Sequence, residues 1–192
     1  MGTPILARLA IALLVLAAPR PARAQPADEE YQVKAAFLFH FAQLVNWPIG
    51  ALSGVRYLDL CVFDDDPHRQ ALQSTLEGKL VGTRSLHVRV LDPPEAAQGC
   101  SILFLSRDEG RRQATTLRSL RGQPTLTVGE TGNFLADGGI IQLRIETDRV
   151  RFEINAGAAD LSHLKISSRL LLLAVSVNYG DGRDRGRASD AP

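Results

Sequence analysis

Four glycines lie in the stretch GETGNFLADGGIIQL at residues 129–143, between two apolar runs that are typical of strands. Glycine-rich loops after strands bind phosphate groups in several nucleotide-binding folds. This loop fits neither common phosphate-binding spacing, contains no lysine, and precedes a predicted strand instead of a helix. We therefore expect its glycines to give a tight entry to a strand at 140–146, with Phe134 in the core. The glycines are Gly129, Gly132, Gly138 and Gly139.

Other residues with catalytic or metal-binding potential lack partners at useful spacings. The four histidines, His40, His68, His87 and His163, show no metal-ligand spacing. The acids at 64–66 beside His68 are more simply explained as a solvated loop that begins a helix. No G-x-S-x-G motif is present, and the neighbours Ser162 and His163 would point apart on a helix. We predict no catalytic residue, no metal site and no cofactor, and we do not expect an enzyme.

The N-terminal residues 1–24 have the pattern of a cleaved secretory signal. Arg8 precedes the apolar run 9–18, and Ala22-Arg23-Ala24 is a small-x-small cleavage site. The run is too short for a membrane anchor, which needs about 20 residues, so no direct membrane insertion is expected. Removal of three arginines and no acid changes the formal net charge from +1 to −2. Such a charge gives no electrostatic reason to bind nucleic acid.

Two cysteines, Cys61 and Cys100, remain in the exported chain. In an oxidising compartment such a pair favours a disulfide over a metal site, and two buried free thiols are the alternative. A bridge between them would close a loop of about 40 residues and could contribute on the order of 3–4 kcal/mol to stability.

Helical periodicity begins after Asp28, a possible cap, and extends to about Asn46, where Trp47-Pro48 ends it. One wide face of this helix is apolar, so we expect it to be largely covered by the rest of the chain or by a partner. The apolar residues of this face are Tyr31, Ala35, Phe37, Leu38, Phe41, Ala42, Leu44 and Val45.

Apolar strands then interleave with helices along the chain. Asp66 resembles the N-cap of a short helix that ends near Glu77. The predicted strands are 55–63, 85–91, 101–105 and 125–128, and a charged helix is predicted over 108–121. These elements predict an α/β fold: a single layered domain over 25–178, with a mixed β-sheet, helices on both faces, and a C-terminal β-hairpin followed by helices.

The hairpin joins strands 140–146 and 149–154 through Thr147-Asp148. Both strands alternate in polarity, and a two-residue turn places their apolar residues on one face. The expected pairs are Glu146 with Arg149, Arg144 with Arg151, Leu143 with Phe152, and Ile141 with Ile154. The opposed arginines would be relieved by the diagonal acids Glu146 and Glu153.

After the hairpin, Asn155 is a possible cap for a helical turn through Asp160. Either Ser167 or Ser168 could cap a last helix that runs to about Val177. Residues 170–174 of this helix are apolar all round, which predicts burial. The tail 179–192 lacks periodicity and is predicted to be disordered.

Three stretches together resemble a known family: YQVKAAFLFHFAQLVNWP near the start, VRFEIN in the hairpin, and LKISSRLLLLA near the end. In order and spacing the chain is similar to the YfiR/HmsC-like family of secreted periplasmic proteins. The resemblance covers nearly all of the predicted domain. It implies an α/β layered fold that is often dimeric, so a homodimer is a further expectation.

The resemblance also implies a function. Proteins of this type repress a membrane-bound diguanylate cyclase by binding its periplasmic sensing domain. An OmpA-like outer-membrane lipoprotein can sequester the repressor and release the cyclase. Cyclic di-GMP then rises and favours biofilm.

Partner or ligand contacts in the family lie near the second and third stretches, and matching positions here are Glu153, Asn155, Lys165 and Ser168. Purely structural roles are equally consistent with these residue types: caps for Asn155 and Ser168, a ladder partner for Glu153 and a solvated end for Lys165. The Cys61–Cys100 pair also matches the family.

A second cysteine pair that some family members carry is replaced in this chain by Leu135 and Gln142. Redox switching that depends on that pair is therefore not implied for this chain.

Two other functions compete with regulation by protein contact. A small-molecule binding module would need a pocket with convergent polar groups, and Arg144, Arg151 or Lys165 could meet an anion. A periplasmic enzyme would need a cleft that gathers two or more titratable groups.

Overall fold

The computed structural model describes residues 26–92 and 97–180. The helices in these residues are α1 (Pro26–Leu44), α2 (Arg69–Leu76), α3 (Gly110–Ser119), α4 (Ala156–Leu161) and α5 (Ser168–Leu173). The strands are β1 (Val45–Asn46), β2 (Tyr57–Phe63), β3 (Leu80–Val81), β4 (Arg84–Leu91), β5 (Ile102–Leu105), β6 (Leu126–Gly129), β7 (Ile141–Glu146), β8 (Arg149–Asn155), β9 (Lys165–Ile166) and β10 (Ser176–Asn178). The predicted signal at 1–24 and the predicted tail beyond residue 180 lie outside the described residues.

Eight strands form one sheet in the order β10-β8-β7-β6-β5-β2-β4-β3. Its central strands β4, β2, β5, β6 and β7 run parallel, β8 is antiparallel to β7, and β10 returns parallel to β8. The strands β1 and β9 form a separate short antiparallel ladder. The predicted mixed sheet in an α/β layered domain is therefore confirmed.

Alternate residues of the buried strands serve two separate cores. Leu60 and Val62 of β2 join the core under α1 and α2, whereas Cys61 and Phe63 join a smaller core under α3. This division follows from the strand geometry, because successive side chains point to opposite sheet faces. Strands that are apolar throughout thus need helices on both faces, as the sequence predicts.

A disulfide joins Cys61 of β2 to Cys100, which lies just before the neighbouring strand β5. The two Cα atoms are 5.9 Å apart, and both residues are buried in the core under α3. The predicted pairing is confirmed, and the free-thiol alternative is wrong for this structure.

The hairpin has the predicted register, including Glu146 with Arg149, Leu143 with Phe152 and the opposed arginines Arg144 and Arg151. The turn residues Thr147 and Asp148 have φ angles of 49° and 57°, as a two-residue type I′ turn requires. Arg144 bonds to both Glu153 and Glu146, and this relieves the like charge opposite it.

The glycine-rich loop packs around an aromatic ring. Phe134 is fully buried, and its ring lies between Gly129 and Gly139. A Cβ atom at either glycine would lie 2.2 Å from a ring carbon of Phe134, so neither position accommodates a side chain. Gly138 has a φ angle of +97°, which lets the chain turn into β7. The loop therefore serves packing and strand entry, as expected.

Both ends of the first helix differ from the prediction. Helix α1 begins at Pro26, before the supposed cap Asp28, and it ends at Leu44 because Val45 and Asn46 pair with β9. Asp66 is not an N-cap: its Oδ1 atom accepts a hydrogen bond from the His68 N–H at 2.8 Å, and α2 begins one residue after His68. This is a local turn that precedes the helix.

The last helix is shorter than predicted. Helix α5 ends at Leu173, and Ser176–Asn178 forms the edge strand β10 instead of continuing the helix to Val177. Backbone pairing with β8 overrides the helical preference of the leucine run. The predicted burial of residues 170–174 is also wrong, because only Leu170 is buried. A short helix at the edge of the sheet can bury only one of its faces against the rest of the protein.

Reduction of the disulfide is expected to lower the free energy of unfolding by about 3–4 kcal/mol, because the unfolded chain regains the entropy of a closed loop. The sequence separation of the bridge is 39 residues. Urea denaturation of the mature protein with and without reductant measures this difference in the free energy of unfolding without any change of sequence. A Cys61→Ala/Cys100→Ala variant is the control and should not respond to reductant. A loss below about 1 kcal/mol would contradict this entropic account.

Candidate functional site

A buried ion pair fastens α1 to the end of β6. The Nζ atom of Lys34 lies 2.6 Å from Oε1 of Glu130, and both side chains are 2 % exposed. Glu30, one turn earlier, also pairs with Lys34. The hydroxyl of Tyr31 donates to Oε2 of Glu130 at 3.0 Å. Burial and the adjacent Glu130 carboxylate raise the pKa of Tyr31 well above its ordinary value, so the phenol stays protonated.

The loop after β2 closes over the same cluster. The imidazole of His68 stacks on the ring of Tyr31 with centroids 3.4 Å apart. Desolvation raises the pKa of the buried Asp66 carboxyl, although its hydrogen bond from the His68 N–H opposes that shift. The cluster thus lies at the carboxyl ends of β2 and β6.

A second carboxyl is buried beside the first cluster, in the short 3₁₀ turn Arg107–Glu109 that follows β5. Glu109 is 3 % exposed, and its Oε2 atom lies 2.8 Å from Nε of Arg112. Desolvation raises the pKa of Glu109 to about 7, although Arg112 opposes the shift. Arg112 also pairs with Asp65, so the loops after β2 and β5 are tied together.

These buried and paired groups connect α1, α3 and the loops after β2, β5 and β6, and we call them the clasp. Removal of one partner from a buried ion pair costs about 3–5 kcal/mol, since a charge is then left without compensation. Among residues 26–92 and 97–180 no group of His, Cys, Asp and Glu has the arrangement of a metal site. The sequence analysis missed Lys34, although a signal existed: Lys34 lies three residues after Tyr31 and four before Leu38, within the apolar stripe of α1.

The predicted contact residues Glu153 and Asn155 lie on one face of β8. Oε1 of Glu153 accepts from Arg144 at 2.6 Å. Oδ1 of Asn155 accepts from the Ala158 N–H at 2.9 Å and caps α4, as predicted. Its Nδ2 atom donates to the Leu135 carbonyl at 3.3 Å and so holds the loop before β7. Both residues therefore have structural roles. These bonds do not test whether the two residues also contact a partner or a ligand.

The other two predicted residues lie in the segment that follows α4. Lys165 belongs to β9, and its exposed Nζ atom lies 3.7 Å from Oδ1 of Asp160. Ser168 is the exposed first residue of α5, whereas the cap is Ser167, whose hydroxyl accepts from the Leu170 N–H at 3.2 Å. Because Phe152 and Ile154 of β8 face α1, their neighbours Glu153 and Asn155 face away from it. Asp160, the partner of Lys165, lines the same cavity as Asn155, whereas Glu153 and Ser168 do not line it.

An exposed apolar surface follows directly from the short last helix. Leu172 and Leu173 are 86 % and 64 % exposed, and Val175 is 52 % exposed. We call these three residues the terminal leucine patch. The three residues lie within four positions of one segment, which both β9 and β10 anchor to other strands. The sequence analysis missed this patch because it predicted burial for the same leucines.

Two concavities flank this region on opposite sides of the sheet. A cavity of about 740 Å³ on the α3 side includes Arg118, Arg121 and Asn155 in its lining. A groove of about 460 Å³ lies on the other side, between α1 and α5. Both have the size of ligand pockets, which typically measure about 300–1,000 Å³.

Comparisons with known proteins agree with this architecture. A model of the YfiR/HmsC-like family matches residues 31–175. A crystal structure of a conserved domain protein from Vibrio cholerae O1 biovar El Tor has a TM-score of 0.53 and 11 % sequence identity to this chain. The match covers 75 % of this chain and 60 % of that one. At this identity the likeness concerns the fold alone. No helix in the described part of the chain is both long and apolar enough to cross a membrane.

Glu109→Gln is expected to reduce the pH dependence of stability. The pKa of Glu109 is raised from 4.5 to about 7, so the folded state binds more protons than the unfolded state between these values. Relative to the variant, the wild-type protein should therefore be most stable near the lower pKa. It should lose stability as pH rises toward the upper one, by at most about 1.4 kcal/mol per pH unit. Urea denaturation across this range measures the difference.

The exposed neighbour Asp108 supplies the control, because Asp108→Asn removes a carboxylate from the same turn without removing a buried one. A constant difference between wild type and Glu109→Gln at every pH would show that the carboxyl has the same pKa in both states.

Proposed function

Since the chain belongs to the YfiR/HmsC-like family, we propose that it represses a membrane-bound diguanylate cyclase by binding the cyclase's periplasmic sensing domain. The family supports a periplasmic regulatory role in general, and it is a regulatory and non-enzymatic family. Repression of this kind lowers cyclic di-GMP and biofilm formation. An OmpA-like outer-membrane lipoprotein that sequesters the protein would reverse it.

The terminal leucine patch is the observation that carries this proposal. An exposed run of large apolar side chains has an unfavourable contact with water, which binding to another protein removes. Leu172 and Leu173 of the patch lie in LKISSRLLLLA, one of the stretches that carry the family resemblance, and Val175 follows directly after it. Protein interfaces typically have an apolar core that is surrounded by a polar rim.

Repression also requires a difference in affinity between two states of the cyclase. The protein can hold the cyclase inactive only if it binds the inactive state more tightly than the active one. The short, firmly anchored α5 suits this requirement, because a rigid surface fits one arrangement of the partner better than another. The backbone of α5 is held by the hydrogen bond from the Ser167 N–H to the Leu44 carbonyl, 2.9 Å long.

Deletion of the gene is expected to raise cyclic di-GMP and surface attachment, and loss of one membrane-bound cyclase from the same strain should cancel the rise and so identify the partner. Complementation with wild type should restore the low level, whereas Leu172→Ser/Leu173→Ser should not. Exposed substitutions usually change stability by less than about 0.5 kcal/mol, so the variant should fold. Mass spectrometry of nucleotide extracts measures the outcome.

A matched control is Leu161→Ser, which alters a leucine that is 57 % exposed on α4, outside the patch. This variant should complement like wild type. If deletion leaves cyclic di-GMP unchanged, the proposed function is wrong for this protein.

A second candidate function is that of a small-molecule sensor. The cavity of about 740 Å³ on the α3 side supports it, because charged side chains of both signs line it beside apolar ones. The charged residues are Arg118, Arg121, Asp137 and Asp160, and the apolar ones include Leu117 and Leu161. A ligand with an anionic group, a cationic group and an apolar body would fit this lining. A thermal-shift screen of the mature protein with amino acids and vitamins should then raise the melting temperature for at least one compound, and Arg121→Ala should reduce that shift. A flat response across the screen argues against this candidate.

A further inference from the structure

The groove between α1 and α5 has a floor that belongs to the protein core. Phe41, Phe152 and Leu170 line it and are 1 %, 4 % and 1 % exposed. The rings of Phe41 and Phe152 pack edge to face with centroids 5.0 Å apart, and Phe37 packs on both of them. Because these rings support the main core, the groove is preformed and does not depend on a bound molecule for its shape.

Its rim is polar and carries positive charge without negative charge. His40, Gln43 and Arg169 supply the polar side chains of the lining, and no carboxylate is present among the lining residues. The His40 ring nitrogen Nδ1 lies 3.3 Å from Oε1 of Gln43. Arg169 is exposed and makes no ion pair with the residues that the structure describes. An occupant of this groove therefore meets a guanidinium at its edge that has no ion-pair partner among residues 26–92 and 97–180.

The apolar surface continues beyond the groove. Leu173 forms one wall of the groove, and Leu172 lies next to it on the same short helix, 86 % exposed. A small molecule that fills about 460 Å³ would leave Leu172 and Val175 in water. The extended surface therefore favours a macromolecular occupant over a small ligand.

The charge of the rim argues against a second copy of this chain as the occupant. In a two-fold symmetric dimer the same patch meets itself, so each copy brings a second Arg169 and no carboxylate from the groove to pair with it. Like charges brought together at an interface are unfavourable. A different protein that carries acidic residues supplies carboxylates that can pair with Arg169 at the rim.

We infer that the groove and the terminal leucine patch together dock an amphipathic helix of the cyclase's periplasmic domain, with apolar residues in the groove and a flanking Asp or Glu on Arg169. This inference rests on the proposed function and specifies the chemistry of its contact. A helix with apolar residues at i, i+3, i+4 and i+7 fits a groove between two helices, as in other helix-in-groove complexes. Arg169 then selects among apolar helices, since a guanidinium binds a carboxylate through two hydrogen bonds.

The test measures binding of the purified periplasmic domain of the cyclase that the deletion experiment identifies. The mature protein is immobilised as wild type, Arg169→Lys, Arg169→Glu and Arg118→Glu, and affinities are measured by biolayer interferometry at two salt concentrations. Arg169→Glu should weaken binding by about tenfold or more, because it sets a carboxylate against a carboxylate. Arg169→Lys should lose less, and Arg118→Glu, on the opposite side of the sheet, should match wild type.

A second comparison separates the contribution of the apolar groove to binding from that of the charge on Arg169. Leu173→Ser should weaken binding without changing its salt dependence, whereas Arg169→Glu should reverse that dependence, because salt screens the repulsion between the two carboxylates. If Arg169→Glu and Arg118→Glu both bind like wild type, the inference is overturned while the proposed function stands. If the wild-type protein itself does not bind the domain, both are overturned.

Discussion

Backbone pairing at both ends of the last helix is the constraint on which the proposed docking surface depends. Before α5, the strand β9 pairs with β1, and the Ser167 N–H donates to the Leu44 carbonyl at 2.9 Å. After α5, the Val175 N–H donates to the Phe152 carbonyl at 2.9 Å, and β10 pairs with β8. A six-residue helix held between these two attachments can turn only one face to the core. Leu170 occupies that face, and Leu172 and Leu173 are left outside.

The first helix provides the support against which this segment is held. Its first half is fixed by the ion pair between Lys34 and Glu130, and its end continues into β1, which pairs with β9. A buried ion pair adds little net stability compared with apolar packing, but its directional contacts favour one position of the helix over others. Helix α1 therefore joins the clasp at the carboxyl ends of the central strands to the groove beside α5. The phenyl rings that form the groove floor gain their rigidity from this arrangement.

The features that the sequence predicted correctly are those that local rules determine. The hairpin register follows from a two-residue turn and alternating side chains, and the cap at Asn155 follows from one side chain and one backbone amide. The disulfide between Cys61 and Cys100 follows from the predicted export of a chain with a single cysteine pair. The packing of Phe134 was expected because burial is favourable for the one aromatic side chain of a glycine-rich loop. In each case no distant part of the chain had to be placed first.

The features that the sequence did not predict depend on partners far along the chain. Residues 170–177 have a strong helical pattern, and only the free edge of β8 makes strand β10 more favourable. The burial of Lys34 requires Glu130, which is 96 residues away in the sequence. The groove depends on α5 packing against α1 across Phe152, so neither helix alone indicates it.

The most direct measurement of the central claim is photo-crosslinking in living cells with a photoreactive phenylalanine analogue at position 172. If the terminal leucine patch is the surface that holds the cyclase inactive, irradiation should link this position to an inner-membrane diguanylate cyclase. A probe at position 161 on α4 should give no such adduct. An adduct with the cyclase from position 161 and none from position 172 would contradict the account, because the partner would then bind a different surface of the protein.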